Sequence, residues 1–72
     1  MLLSVIDSLE DDEQAICNAL LEGEGIRQND LRLKLGMPKH RFEIALQKLE
    51  RRQIIKEREG PNPRIFFNDW LK

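Results

Sequence analysis

Residues 28–52 read QNDLRLKLGMPKHRFEIALQKLERR, and this stretch decides the fold that the sequence predicts. Leu31 and Leu35 lie one helical turn apart, and the next residue, Gly36, can close a helix because glycine adopts the left-handed backbone conformation without steric cost. Pro38 suits the first position of a following helix, where its missing N–H is not needed. The pattern predicts two helices joined by a tight turn, residues 27–35 and 38–52.

The longer of these two helices is amphipathic. Its apolar residues recur at the spacing of one buried stripe: Phe42, Ala45, Leu46 and Leu49. At about 100° per residue, the opposite face points outward and carries His40, Ile44, Gln47 and Arg51. Arg41 and Lys48 flank that face on one side, and Glu43 flanks it on the other.

The rest of the chain can be divided around this pair of helices. A helix is expected over residues 9–22, with Asp11 or Ser8 as its cap, after a leader of residues 1–8. Ile54 to Phe67 is typical of a β-hairpin whose turn contains two prolines, and residues 68–72 form a tail. The expected fold is a single domain, mainly α with a small β-hairpin.

Composition narrows the functions that the chain can have. At 72 residues it is long enough for one small core but leaves little room for a catalytic cleft. No apolar run approaches the roughly 18 residues that span a bilayer. Cys17 is the single cysteine, so it cannot form a disulfide within the chain, and with the single histidine, His40, it cannot complete a zinc site. This cysteine usage favours a reducing, cytoplasmic location. We expect no cofactor, and no nucleophile–base pair or phosphate-binding loop indicates an enzyme.

Charge is strongly segregated along the chain. Residues 1–25 contain seven acidic residues and no Lys or Arg, so residues 26–72 hold all 12 basic residues. A net charge of −1 therefore conceals a basic segment. Such segregation is typical either of one face suited to a polyanion or of a bipolar, solvated surface.

Together these segments resemble the winged helix-turn-helix superfamily, in particular MarR-like and ArsR-like transcription regulators of bacteria and archaea. The resemblance lies in residues 26–31 (IRQNDL) at the entry to the second helix, 35–39 (LGMPK) at the turn, and 45–55 (ALQKLERRQII), where the recognition helix runs into the wing. It implies three helices plus a two- or three-stranded wing, over about residues 9–67. Glu43, Ile44 and Gln53 depart from the family's usual residues.

The resemblance also implies DNA contacts at nine positions. Two lie at the start of the second helix, five on the recognition helix and two on the wing: Arg27, Gln28, Lys39, His40, Arg41, Ile44, Lys48, Arg58 and Arg64. Lys and Arg pair with phosphates, Arg recognises guanine through two hydrogen bonds, and an apolar side chain meets a thymine methyl. Arg51 and Arg52 fit equally well as helix C-terminal charges and as DNA contacts.

Two functions remain open at this point. The first is a double-stranded DNA-binding transcription regulator, or the DNA-binding module of a larger one, with the recognition helix in the major groove and wing contacts to the backbone. A homodimer is expected, with the leader (MLLSVI), Leu21 and Trp70–Leu71 as its contacts, because one small module buries little DNA surface. The alternative is a protein-interaction or regulatory domain of a larger assembly.

Overall fold

The computed structural model describes residues 2–71, and its regular elements are all helical. The elements are α1 (Leu2–Asp7), α2 (Asp11–Glu22), α3 (Gln28–Leu35), α4 (Lys39–Arg51) and a 3-10 helix (Asp69–Leu71). The last three α-helices agree with the predicted ranges to within two residues. The sequence predicts no helix in the leader, because the six residues of α1 are too few to display a helical period. Met1 and Lys72, at the ends of the predicted leader and tail, lie outside the described residues.

The first turn of α2 has no side-chain cap. Glu10 occupies the N-cap position without a capping hydrogen bond, and the Ser8 hydroxyl donates to the Val5 carbonyl at 2.7 Å. The prediction that Asp11 or Ser8 caps this helix is therefore wrong. The acidic residues 11–13 still occupy the first turn, where the helix dipole favours negative charge.

The core lies where α2 and α4 pack together and where α3 and the C-terminal part of the chain close over them. The whole predicted stripe of α4 is buried: Phe42, Ala45, Leu46 and Leu49. Ile16 and Leu20 contribute the buried side of α2. Because one side of α4 is committed to this core, the opposite side of the helix faces outward.

The turn between α3 and α4 has the predicted construction. Gly36 adopts φ 64°, the left-handed conformation, and its N–H donates to the Leu33 carbonyl at 3.2 Å. Met37 is buried and donates its N–H to the Arg32 carbonyl at 3.4 Å. Two backbone hydrogen bonds and the buried side chain of Met37 thus fix the turn between the helices.

The predicted β-hairpin does not form. No β-strand occurs within residues 2–71, and only two isolated antiparallel bridges involve this region, Arg27 with Arg64 and Ile55 with Phe67. A winged helix requires a β-wing, so the expected winged helix-turn-helix fold is wrong. Residues 54–68 instead form an irregular segment, called the arm below, beside α3 and α4.

Competing hydrogen bonds explain why the arm is not a hairpin. The N–H of Arg58 donates to Glu50 Oε2 of α4 at 2.9 Å, so it does not join a ladder with the returning chain. On the returning side, the N–H of Ile65 donates to the Ile26 carbonyl at 2.9 Å. The two sides of the arm meet directly near its base, through Lys56 N–H to Phe66 O at 3.0 Å. Backbone N–H groups that would form the ladder of a hairpin therefore donate to α4 and to residue 26 instead.

The junction after α4 carries the one positive φ of a non-glycine residue among residues 2–71. Gln53 has φ 60°, and its carbonyl accepts a hydrogen bond of 2.6 Å from Trp70 Nε1. Leu71 is buried in the core, whereas Trp70 remains 50% exposed. The predicted tail thus folds back on the body of the molecule and contacts the end of α4.

Two further findings concern the described part of the chain. Within residues 2–71 no helix combines the length and apolarity needed to cross a membrane. The same residues contain no group of three or more His, Cys, Asp or Glu placed to hold a metal ion.

Candidate nucleic-acid interface

The outward side of α4 carries no acidic residue, and the helix's two glutamates, Glu43 and Glu50, lie to one flank with 34% and 21% of their side chains exposed. Of the residues predicted to point outward, all four are exposed: His40, Ile44, Gln47 and Arg51. Lys39 and Arg41 are the other exposed residues of this helix. Ile44 is the only apolar member, with 39% of its surface accessible. We call His40, Ile44, Gln47 and Arg51, with Lys39 at the start of the helix, the α4 face.

On one flank of the α4 face, two cations bind acidic residues at the start of α2. Arg41 donates to both carboxylate oxygens of Asp12, at 2.6 and 3.1 Å, and Lys48 Nζ lies 3.1 Å from Glu10 Oε2. The hydrogen bonds that Arg41 donates to Asp12, and then the negative charge of Asp12, raise the pKa of Arg41 above its ordinary value. Both predicted contacts are on the accessible surface, but each is held by a carboxylate of the same chain.

On the other flank, the acidic residues of α4 bind Arg58 of the arm. Its guanidinium contacts Glu50 Oε1 at 2.7 Å through Nη2, and Glu43 Oε2 at 3.4 Å through Nη1. The same Nη1 donates to Gln28 Oε1 at 2.8 Å, and Gln28 Nε2 donates to Glu43 Oε1 at 2.9 Å. Burial acts to lower the pKa of Arg58, but its bonds to Glu50 and the charges of Glu50 and Glu43 leave that pKa raised.

Two of the predicted contacts are therefore internal. The side chain of Arg58 is only 14% exposed, and Gln28 is buried at the start of α3. The sequence assigns both to DNA because the first lies in the predicted wing and the second opens the second helix. The arm turns its arginine inward, which removes both from the accessible surface.

Arg27 and Arg64 lie next to each other, although 37 positions separate them in the sequence. Arg27 donates to the Asn62 carbonyl at 3.0 Å, and Arg64 donates to the Gly25 carbonyl at 3.0 Å. Carbonyl partners orient a guanidinium but do not neutralise its charge. Arg64 lies in the predicted wing and Arg27 at the predicted start of the second helix, and both residues are exposed.

The N-terminal N–H groups of α3 are occupied by the arm. The N–H of Gln28 donates to the Pro63 carbonyl at 2.8 Å, and the N–H of Asn29 donates to Asn62 Oδ1 at 3.0 Å. A phosphate at this helix end would have to displace the arm. The start of α4 differs, since Pro38 at its N-cap makes no side-chain capping bond.

Two surface grooves lie on either side of the arm's tip and share Pro61. One has a volume of about 510 Å³ and includes Arg27 and Arg64. The other, of about 560 Å³, runs between α3 and α4 and includes Arg32 and Lys39. Each groove therefore carries two cations for which the described residues show no ion-pair partner.

The resemblance to the winged helix-turn-helix superfamily predicts DNA contacts at part of this surface. It named Lys39, His40 and Ile44 on α4 and the pair Arg27 and Arg64, all of which are exposed. It left Gln47 and Arg51 out of the contact set, although the 100° arithmetic placed them on the outward face. No signal in the sequence identifies Glu50 and Gln28 as partners of Arg58, since these three lie on separate elements.

Comparison with known proteins adds no relative to these observations: no family model matches the chain, and neither the curated proteins nor the solved structures yielded a match.

Proposed function

We propose that the protein binds double-stranded DNA with α4 in the major groove, as a transcription regulator or as the DNA-binding module of a larger protein. The observation that carries the proposal is that the α4 face consists only of basic, neutral and apolar residues, while Glu43 and Glu50 lie to one flank and bind Arg58. A helix that enters the major groove must pass between two rows of phosphates, so an exposed carboxylate there would be repelled. The tight turn to α3 supports the helix from behind, the arrangement that docks a helix in a groove.

The chemistry of the α4 face suits the edges of base pairs. Gln47 can pair with adenine through its amide. Ile44 can pack on a thymine methyl group. Lys39, at the start of the helix, is close enough to the uncapped N–H groups of its first turn to share a phosphate with them. Base reading and backbone positioning are thus available from one helix.

Backbone contacts beyond the groove come from Arg27 and Arg64 in this proposal. Their guanidinium groups stand beside the tip of the arm and are oriented by carbonyl oxygens. They take the place of the expected wing contact from Arg58. Together with Lys39 and Arg51, they make about four phosphate-binding cations, for which the log–log salt slope would be about −3.6.

A homodimer in the cytoplasm completes the proposal. One module of this size buries only about 600–1,000 Å² on DNA, which is usually too little for tight specific binding. Three exposed apolar residues belong to elements other than α4, on α1, on α2 and near the C-terminus: Leu3, Leu21 and Trp70. Two copies joined there would read half-sites about one helical turn apart.

The test is a salt titration of binding to a random-sequence duplex. Lys39→Ala and Arg51→Ala should each reduce the magnitude of the slope by about 0.9. Lys34→Ala is the matched control, because Lys34 lies at the end of α3 and binds Glu22 of α2 at 3.0 Å. Binding that is absent, indifferent to salt or equally affected by all three variants would overturn the proposal.

A second candidate function is a protein-interaction domain. It is favoured by Arg41 and Lys48, which already have carboxylate partners on α2, and by Leu33, which is 68% exposed in the groove between α3 and α4. This function requires no salt-dependent affinity for DNA. The same titration therefore separates the two candidates.

A further inference from the structure

Three elements of the fold converge on one guanidinium. Arg58 comes from the arm, Gln28 from the start of α3, and Glu43 and Glu50 from α4. The two carboxylates are seven residues apart, so they lie on the same side of the helix, two turns from one another. A planar group with several fixed donors can reach both carboxylates and the amide at once.

The carboxylates are partly buried, which makes their partner important. The side chains of Glu43 and Glu50 are 34% and 21% exposed, against 14% for Arg58. A carboxylate in such a position must be paired or must turn toward water, because desolvating an unpaired charge is costly. Without the guanidinium, the open direction for Glu43 is the groove between α3 and α4, which it already lines beside Lys39.

That groove adjoins the α4 face. Lys39 is one turn before Glu43 on the helix, so a released carboxylate would lie next to a cation that binds phosphate in the proposed function. It would pair with that lysine or face the phosphates directly, and either event weakens an interaction with DNA. The position of Glu43 therefore affects binding even though the residue makes no contact of its own.

We propose that Arg58 is a positioning residue for DNA binding: it holds the carboxylates of Glu43 and Glu50 away from the α4 face and contacts no DNA itself. This inference rests on the proposed function. It reverses the role that the sequence suggests for Arg58, since a buried guanidinium cannot reach a phosphate while it binds two glutamates. The residue acts by keeping negative charge off the binding surface.

Arg58→Lys provides the decisive test, because it leaves the net charge unchanged. A lysine has one compact ammonium group and cannot span Glu43, Glu50 and Gln28 together. The dissociation constant for a random-sequence duplex should rise about five- to tenfold, the scale of one misplaced charge at an interface. Adding Glu43→Gln to this variant should bring the dissociation constant back to within about twofold of the wild-type value.

Asp7→Asn in the Arg58→Lys background is the matched control for the rescue. It removes one negative charge from α1, outside the cluster that Arg58 binds, and so restores little affinity. Equal rescue by Asp7→Asn and Glu43→Gln would reduce the effect to net charge and overturn the inference. An Arg58→Lys protein that binds like the wild type would overturn it as well.

Folding is checked by circular dichroism for each variant. If Arg58→Lys does not fold, Glu43→Gln alone decides the matter in the native chain. If Arg58 already holds the Glu43 carboxylate away from DNA, Glu43→Gln should leave the affinity for DNA within about twofold of the wild-type value. If Glu43→Gln alone increases the affinity for DNA by about fivefold or more, Glu43 lies on the binding surface in the native protein, and the inference is overturned. If the wild-type protein itself binds no duplex, the proposed function fails first, so the two failures are distinguishable.

Discussion

Arg41 of α4 binds Asp12 of α2 through two hydrogen bonds, at 2.6 and 3.1 Å, one to each carboxylate oxygen. The pair bridges the acidic start of α2 and the flank of α4. It is exposed to solvent, so phosphates of DNA can compete with Asp12 for the same guanidinium. Lys48 and Glu10 repeat the relationship two turns further along α4.

We expect Asp12→Asn to strengthen binding to duplex DNA by up to about fivefold, because an exposed ion pair is worth about 0.2–1 kcal/mol. Asp11→Asn is the control, since Asp11 has the same charge, is exposed and lies one residue away. In an Arg41→Ala background the gain from Asp12→Asn should disappear. Equal gains from the two asparagine variants would mean that only net charge matters.

The stability of the fold should fall at acidic pH through Glu50. Burial acts to raise the pKa of Glu50, but hydrogen bonds from the side chain and backbone of Arg58, with its charge, hold that pKa below the ordinary value of 4.5. A depressed pKa contributes stability that is present above pH 4.5 and is lost as pH falls through the lower, folded value. Urea unfolding between pH 7 and pH 3 measures this loss. The Glu50→Gln variant should lose less stability over that range, and an identical acid dependence would contradict the assignment.

Cys17 should resist alkylation in the folded protein. Burial, and then the negative charge of nearby Glu13, raise the pKa of its thiol from 9.0 to about 12. The thiolate is the reactive species, so iodoacetamide at pH 8 should label Cys17 only after denaturation. Because the folded pKa is raised, the associated stability is present below pH 9 and is lost as pH rises toward 12. Mass spectrometry with and without urea provides the readout, and rapid labelling without urea would show that the thiol is accessible.

Gln53→Gly should stabilise the protein by about 0.5–1 kcal/mol, because a side chain in the left-handed region costs about that much. The φ of Gln53 is 60°, and the bond from Trp70 goes to its carbonyl, which glycine retains. Thermal unfolding measures the change. A lower midpoint would show that the glutamine side chain contributes more than its backbone conformation costs.

Gly36→Ala is the reverse experiment at the other left-handed position next to a helix. Gly36 has φ 64°, and an added methyl group would meet no atom within 4 Å. Its cost is therefore conformational only, and we expect a loss of about 1 kcal/mol. A neutral result would indicate that the turn between α3 and α4 adjusts its backbone.

The faces of the helices follow from the sequence alone. Apolar residues at intervals of three and four define the buried side of α4, and the outward positions of His40 and Gln47 follow from the same arithmetic. The turn at Gly36 is equally local, since the left-handed conformation depends on one residue. Ile54 to Phe67 also shows a local pattern, with apolar residues at both ends and a turn containing two prolines between them. No strand forms there because N–H groups of this segment donate to other partners.

The sequence by itself determined the helices, their buried stripes and the turn between α3 and α4, because these depend on intervals of a few residues. Only the tertiary structure decided which charges are available. Arg58 pairs with Glu43 and Glu50 because the arm folds back across α4, and Arg41 pairs with Asp12 because α2 packs beside it. Ion pairs between distant segments depend on the three-dimensional path of the chain, and the periodicity of the sequence does not predict that path.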